Sequence, residues 1–226
     1  MSFGIEGKVA LLADIHGNAI ALEQIVKAIS PHAPNAWFFL GDSVGYFPAG
    51  NEVLRILKSL GCICIIGNHE EMLLKGDFSH NEEYYKLAVQ NKTILTEHRS
   101  WIATWPRQLT GNFGTKTALL VHGSPEDTQR GYIYPDGDLS VHERAGVDIL
   151  FTAHTHRPFF TSLAHFSLCN VGSVGLPRDG SKCATALIFD TEEGNHVFVR
   201  CKLDFATIRT AYEIHTHPLI FNRIER

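Results

Sequence analysis

The first third of the chain alternates short apolar runs with amphipathic stretches. Val9 to Ala13, Trp37 to Leu40 and Cys62 to Ile66 read as buried strands, with Ile20 to Ile29 and Glu52 to Leu60 as the helices between them. The order β-α-β-α-β predicts a parallel sheet with helices packed on it. Each strand ends where a candidate ligand begins: Asp14 after the first, Asp42 after the second and Asn68 after the third. Ligands of such sheets gather beyond the carboxyl ends of the strands.

Residues from Asn81 to Ala103 contain no Gly or Pro. The spacing of Tyr85, Leu87, Ala88, Ile94, Leu95, Trp101 and Ile102 predicts one or two helices, ended by Pro106. Beyond them, Leu109 to Phe113, Thr117 to Val121, Ile149 to Thr152, Phe159 to Leu163, Phe166 to Asn170, Ala184 to Phe189 and Val197 to Lys202 read as strands. Short turns join several of these, which predicts a second sheet that is mixed or antiparallel. Asp204 to Ile214 reads as a final helix capped by Asp204. Repeats, low-complexity tracts and linkers are absent. The 226 residues therefore predict one domain, with a helical segment at about 81–105 inserted into it.

Composition narrows the function. A formal charge of -4 offers no basic face for a nucleic-acid polymer, and that partner is excluded as a main role. No apolar run approaches the roughly 20 residues of a membrane span, and the N-terminus lacks the pattern of a signal peptide, so a cytoplasmic protein without a membrane partner is expected. The five cysteines, Cys62, Cys64, Cys169, Cys183 and Cys201, form no C-x-x-C pair. Reduced thiols are expected, with Cys62 and Cys64 as small buried residues.

The polar residues after the strands fall into five blocks: Asp14-Ile15-His16-Gly17-Asn18, Gly41-Asp42, Gly67-Asn68-His69-Glu70, His122-Gly123 and His154-Thr155-His156. Asp14 and His16 are two apart, as are His154 and His156, so on extended backbone each pair faces one cavity. An H-x-H pair alone is weak evidence for metal. Helix capping or turn formation explains Asp14 or Asn68 singly, but not why all of them follow apolar strands in this order. Together the blocks offer oxygen and imidazole ligands that suit Zn, Mn, Fe or Ni, and a pair of such ions is a tool for attacking phosphorus.

In its residue types and order, this series resembles the signature of the calcineurin-like metallophosphoesterase superfamily. The stretch from Asn170 to Gly180, with Gly172-Ser173 and Pro177-Arg178 inside it, resembles a loop of a bacterial and archaeal subgroup of small phosphoesterases. Val171 stands where that subgroup usually has proline. The resemblance implies an α/β fold, a four-layer α/β/β/α sandwich of two mixed β-sheets. It also implies two divalent transition-metal ions, manganese before Fe, Zn or Ni. Asp14, His16 and His156 would hold one ion, Asn68, His122 and His154 the other, and Asp42 would bridge both. Two divalent ions bring a charge of about +4, and two aspartates and a bridging hydroxide leave about +1 to attract a phosphate.

By the same resemblance the nucleophile is hydroxide, and His69 is the catalytic histidine left over once the metal shells are filled. It would serve as general acid or charge stabiliser, with a hydrogen bond that orients a metal ligand as the alternative. Asn18, Ser173 and Arg178 are candidate phosphate contacts, although Asn18 also fits a helix cap and Arg178 a surface residue. Gly17, Gly41 and Gly67 are expected in tight turns. Tyr46, Phe47, Tyr84, Tyr85, Tyr132 and Tyr134 are candidates to line a nucleobase pocket, with ordinary packing as the alternative. The remaining histidines, His215 and His217 among them, read as surface residues.

The expected function is a phosphoesterase hydrolysing small phosphodiesters or nucleotides, dinucleoside polyphosphates included. One alternative is a protein serine/threonine phosphatase. In that branch aspartate and arginine continue the second block and an arginine precedes the third, whereas here Gly45 and Tyr46 follow Val44 and Ile66 precedes Gly67. The other is a non-catalytic scaffold such as a retromer subunit resembles, which predicts decayed ligands. Every ligand position here holds a competent residue.

Overall fold

The computed structural model describes residues 3–79 and 81–224. A short strand β1 (Gly4–Ile5) precedes β2 (Lys8–Leu12), helix α1 (Ala19–Ile29), β3 (Ala36–Phe39), α2 (Gly50–Ser59) and β4 (Ile63–Cys64). Strands β2, β3 and β4 pair in parallel, Leu11 against Phe38 and Phe38 against Ile63. Both faces of this sheet are covered, which is why its strands are continuous apolar runs. Ala10, Leu12 and Phe39 pack beneath the helices, whereas Val9, Leu11 and Phe38 face the other sheet.

The chain continues through α3 (Asn68–Lys75), α4 (Glu82–Tyr85), α5 (Leu87–Thr93) and α6 (Thr96–Ile102). Helix α3 was not expected, and the segment at 81–103 forms three helices rather than one or two. The break falls at Lys86, where a left-handed backbone (φ 56°) ends α4 and begins α5. Strands β5 (Gln108–Phe113), β6 (Lys116–Val121), β7 (Ile149–Thr152), β8 (Phe159–Ser162) and β9 (Ser167–Asn170) build a six-stranded mixed sheet in the order β1-β5-β6-β7-β9-β8.

The last strands, β10 (Cys183–Asp190) and β11 (His196–Lys202), do not join that second sheet. Strand β10 pairs antiparallel with β2, so the first sheet runs β11-β10-β2-β3-β4. Alternation within a strand fixes which face is buried, not which neighbour pairs with it. Two mixed sheets flanked by helices result. Phe38, Phe113, Phe151 and Phe189 fill the space between them, with ring centroids 5.2–6.0 Å apart. Asp204 caps α7 (Phe205–Tyr212) by accepting the Thr207 N–H at 3.1 Å, and a further helix α8 (Pro218–Ile224) follows it. No helix among the described residues is long and apolar enough to cross a membrane.

Candidate metal centre

The loops that leave β2, β3, β6 and β7 meet at one end of the two sheets. Backbone bonds tie them together: Asp14 N–H donates to the Gly41 carbonyl (3.0 Å), His16 N–H to Asp42 (2.9 Å) and Ala153 N–H to His122 (2.9 Å). The two D-x-H and H-x-H pairs face one cavity, but not on extended backbone. Asp14, His16, Asp42, His154 and His156 all have left-handed φ values, between 52° and 64°. A left-handed residue at each turn lets a strand end abruptly and swing its side chain inward. Asp and His tolerate that region better than bulkier residues do.

Asp14, His16 and His156 form one cluster of potential ligand atoms, and Asp42, His122 and His154 a second. In the first, Asp14 Oδ1 lies 3.4 Å from His156 Nε2, which is 3.1 Å from His16 Nε2. In the second, His122 Nε2 lies 3.0 Å from Asn68 Oδ1 and 3.1 Å from His154 Nδ1. Asp42 stands between the clusters, its Oδ2 3.8 Å from His16 Nε2 and 3.4 Å from His122 Nε2.

The outer nitrogens of three imidazoles settle which way the lone pairs point. His16 Nδ1 faces the Val44 carbonyl at 3.3 Å, His122 Nδ1 that of Leu40 at 2.7 Å, and His156 Nδ1 that of Leu176 at 2.5 Å. A carbonyl accepts only from an N–H, so each Nδ1 carries a proton, and in the neutral rings of His16 and His156 Nε2 presents a lone pair inward. Nε2 of His16 therefore faces Nε2 of His156 with no proton available in between. Asp14 Oδ1 is buried without a hydrogen-bond partner. Such acceptors repel one another unless cations lie among them, and imidazoles anchored to carbonyls are the usual support of metal ligands. The residues present fit a pair of divalent ions.

Charge follows the same logic. Burial holds the His16 and His156 imidazoles well below their ordinary pKa and pushes His154 down to about 3, so all three are neutral ligands at pH 7. Burial pushes the Asp14 carboxyl up to about 8, a penalty on its anion that a neighbouring cation reverses. At Asp42 and His122 burial opposes both charges, but their mutual attraction outweighs it, holding the Asp42 carboxyl well below the usual range and raising His122 to about 10. Without cations His122 is therefore the protonated imidazole of the group, and a bound cation takes that proton's place.

Glu70 is a supporting residue absent from the expected site. Fully buried, it accepts the N–H groups of Asp42 (2.8 Å), Ser43 (2.6 Å) and Gly67 (2.9 Å) and the Ser43 hydroxyl (2.8 Å). The signal was a Glu three positions after Gly67, the residue that precedes α3, the spacing of a helix-capping glutamate. Gly67 has extended backbone rather than a tight turn, and its need for glycine is steric: a Cβ there would collide with the Asp42 carboxylate. Glu70→Ala leaves three buried N–H donors unpaired. It is expected to cost roughly 3 kcal/mol or more in urea unfolding and to weaken metal binding about 10- to 100-fold. Unchanged metal affinity in this variant would show that Glu70 serves the helix alone.

Residues 7–158 match the family model described as calcineurin-like phosphoesterase. The chain belongs to that family. It is a phosphoric ester hydrolase of the metallophosphoesterase type. An uncharacterized protein of Methanocaldococcus jannaschii is 30% identical over 228 residues, covering 92% of each chain. The crystal structure of a metallophosphoesterase from Sphaerobacter thermophilus superposes with a TM-score of 0.78 at 22% identity, over 98% of this chain and 99% of that one. A hypothetical protein from Pyrococcus horikoshii gives 0.84 at 21% identity, over 96% and 97%. The two structures share the fold.

The other expected site residues of this phosphoesterase divide into two groups. His69 is buried at the junction of the clusters, with Nε2 3.9 Å from Asp42 Oδ2 and its backbone N–H donating to Asp42 Oδ1 at 2.9 Å. Burial lowers its pKa. Tyr46 stacks on His69 at 25° and receives a hydrogen bond from Arg178 Nη2 at 3.2 Å, which turns the guanidinium toward the site. Asn18 and Ser173 point elsewhere. Asn18 caps α1 through the Ala21 N–H and donates to the Gly175 carbonyl, whereas Ser173 Oγ donates to the Asp14 carbonyl and accepts from Leu176 N–H. Their contacts do not support the expectation that they touch phosphate.

Of the aromatics, Phe47 is core and Tyr84 packs against His217, which is half-buried rather than solvated. Tyr85 packs on His69, and Tyr132 and Tyr134 stay exposed. Among the remaining histidines His98 is buried and lies 3.0 Å from Asn51 Oδ1, contrary to a surface reading. The inserted helices brace the site: Gln90 of α5 accepts the Gly45 N–H at 3.0 Å and donates to the Phe47 carbonyl at 2.8 Å, clamping the loop that presents Tyr46.

Proposed function

We propose that this phosphoesterase uses two divalent ions, manganese before Fe, Zn or Ni, to hydrolyse small phosphodiesters or nucleotides. The observation that carries the reading is the convergence of buried imidazole nitrogens and carboxylate oxygens in two clusters joined by Asp42. Asp14, His16 and His156 would hold one ion, Asn68, His122 and His154 the other, and Asp42 both. When bound, such ions polarise phosphoryl oxygens and lower the pKa of a coordinated water towards neutrality.

The remaining roles belong to side chains of this chain. Arg178, oriented by Tyr46, supplies a cation for a phosphate oxygen. Buried against Tyr46 and Tyr85, His69 faces the ground between the clusters and serves the leaving oxygen. Neither serine beside the site is a nucleophile, because Ser43 Oγ donates to Glu70 and Ser173 Oγ to the Asp14 carbonyl.

Protein purified without chelator and reconstituted with Mn is expected to hold two ions per chain by elemental analysis. It is expected to turn over bis-p-nitrophenyl phosphate or a dinucleoside polyphosphate with higher kcat/KM than phosphopeptides. One ion or fewer after reconstitution, or preference for phosphopeptides, counts against the proposal.

A further inference from the structure

On the side of Asn68, His122 and His154 the cleft carries an aromatic surface that hydrolysis itself does not use. It belongs to the loop after β6. Ile133 is buried beside Leu119, Val121 and Leu150, so the segment is anchored and its two neighbours project the other way. Those neighbours are Tyr132 and Tyr134, 56% and 41% exposed. Their rings are parallel within 6° with centroids 6.1 Å apart.

The inner ring meets the site directly, with the Tyr132 centroid 4.4 Å from that of His154. On the outer side the Arg157 guanidinium lies 5.8 Å from the centre of Tyr134. Planar groups thus run outward from a candidate metal ligand to solvent. A cavity of about 300 Å³ opens against this row, lined in part by Asn68, Tyr85, Arg130, Tyr132 and His154. That volume is at the lower end of the roughly 300–1,000 Å³ of small-molecule sites.

We propose that Tyr132 and Tyr134 form a stacking platform for a nucleobase, so that the substrate is a nucleotidyl ester held with its phosphate at the paired clusters. The inference rests on the phosphoesterase reading above and names the group attached to the phosphate. Three features select a base. A tyrosine face accepts any flat π-system without matched hydrogen bonds. The platform is held rigid by Ile133, so little conformational entropy is lost on stacking. Arg130 on the cavity wall and Arg157 on the outer ring place positive charge where an anionic nucleotide enters.

The test compares two phosphodiesters with the same reacting group on the metal-loaded full chain: adenosine 5′-(methyl phosphate) and its abasic counterpart, ribose 5-(methyl phosphate). The wild-type protein is expected to favour the base-bearing ester in kcat/KM by roughly 5- to 100-fold, the range a stacked base contributes. In Tyr132→Leu that ratio collapses towards one, and in Tyr132→Phe, which keeps the ring face, it is retained. Metal content of the variants separates loss of stacking from damage to His154, and Tyr134→Leu replaces Tyr132→Leu if the latter does not fold. A wild-type ratio near one, or a ratio unmoved by removal of either ring, overturns the platform and leaves the hydrolase reading intact. Calorimetry with adenosine 5′-monophosphate needs no turnover, so it decides the platform even if neither ester is hydrolysed. Binding weakened by the same factor in Tyr132→Leu supports it, and equal or absent binding in both proteins rejects it.

Discussion

Asp42→Ala is expected to empty both cation positions and to reduce hydrolysis on the order of 10³-fold or more. Asp42 is the carboxylate that reaches both clusters, with Oδ2 3.8 Å from His16 and 3.4 Å from His122. Its other oxygen is held by the His69 backbone N–H, and its own N–H by Glu70. Loss of one oxyanion-stabilising donor costs an enzyme about 10²–10³ in rate, and here the anchor of two cations is removed. Asp42→Asn keeps the shape and the His69 hydrogen bond but deletes the charge, so it distinguishes charge from packing. Elemental analysis and kcat on one preparation check both variants. Two retained ions with full activity in Asp42→Ala would mean that the clusters work independently or that the assignment is wrong.

His69→Asn is expected to behave differently, lowering kcat by roughly 10²–10⁴-fold, the usual contribution of general acid catalysis, with both ions still bound. His69 lies 3.9 Å from Asp42 Oδ2, where it forms a third grouping of potential ligand atoms with His16 and Asp42, but its ring is packed among those of Tyr46, Tyr85 and His16. The loss should shrink for esters of weakly basic leaving groups such as p-nitrophenolate, which need little protonation. Equal losses across leaving groups of very different basicity would make His69 a charge stabiliser. Loss of metal would make it a ligand or the support of one.

Much of this architecture is legible in the chain because the physics behind it is local. Val9–Leu12, Phe38–Leu40 and Ile149–Thr152 are runs that only two-sided burial explains, and the first polar residues beyond them are those the loops bring together. The division of these ligands between two ions came from the resemblance to the family, not from the order of the blocks. What was not legible is longer in range or lacks a local marker. Nothing about Cys183 to Asp190 says that it pairs with β2, for either sheet satisfies its alternation. Lys86 takes a left-handed backbone without being Gly or Asn, so the helix break there left no trace. Ser173 read as a phosphate contact, and Asn18 as either a helix cap or a phosphate contact, because both lie in the right loops. Their polar atoms turned out to stitch those loops to one another.

The left-handed turns at Asp14, His16, Asp42, His154 and His156 carry a cost that bears on the chain's history. A side-chain-bearing residue in that conformation costs roughly 1–2 kcal/mol, and glycine would avoid this at the expense of about 0.5–1 kcal/mol of chain entropy. On the backbone alone, glycine is therefore the more comfortable residue at all five positions, and the side chains' buried hydrogen bonds offset part of the difference. Selection for a sturdy chain and selection for a working one pull in opposite directions at these residues. A lineage released from the need to bind metal would lose the reason to hold side chains on these left-handed turns, and glycine there would ease the backbone as the chemistry was lost.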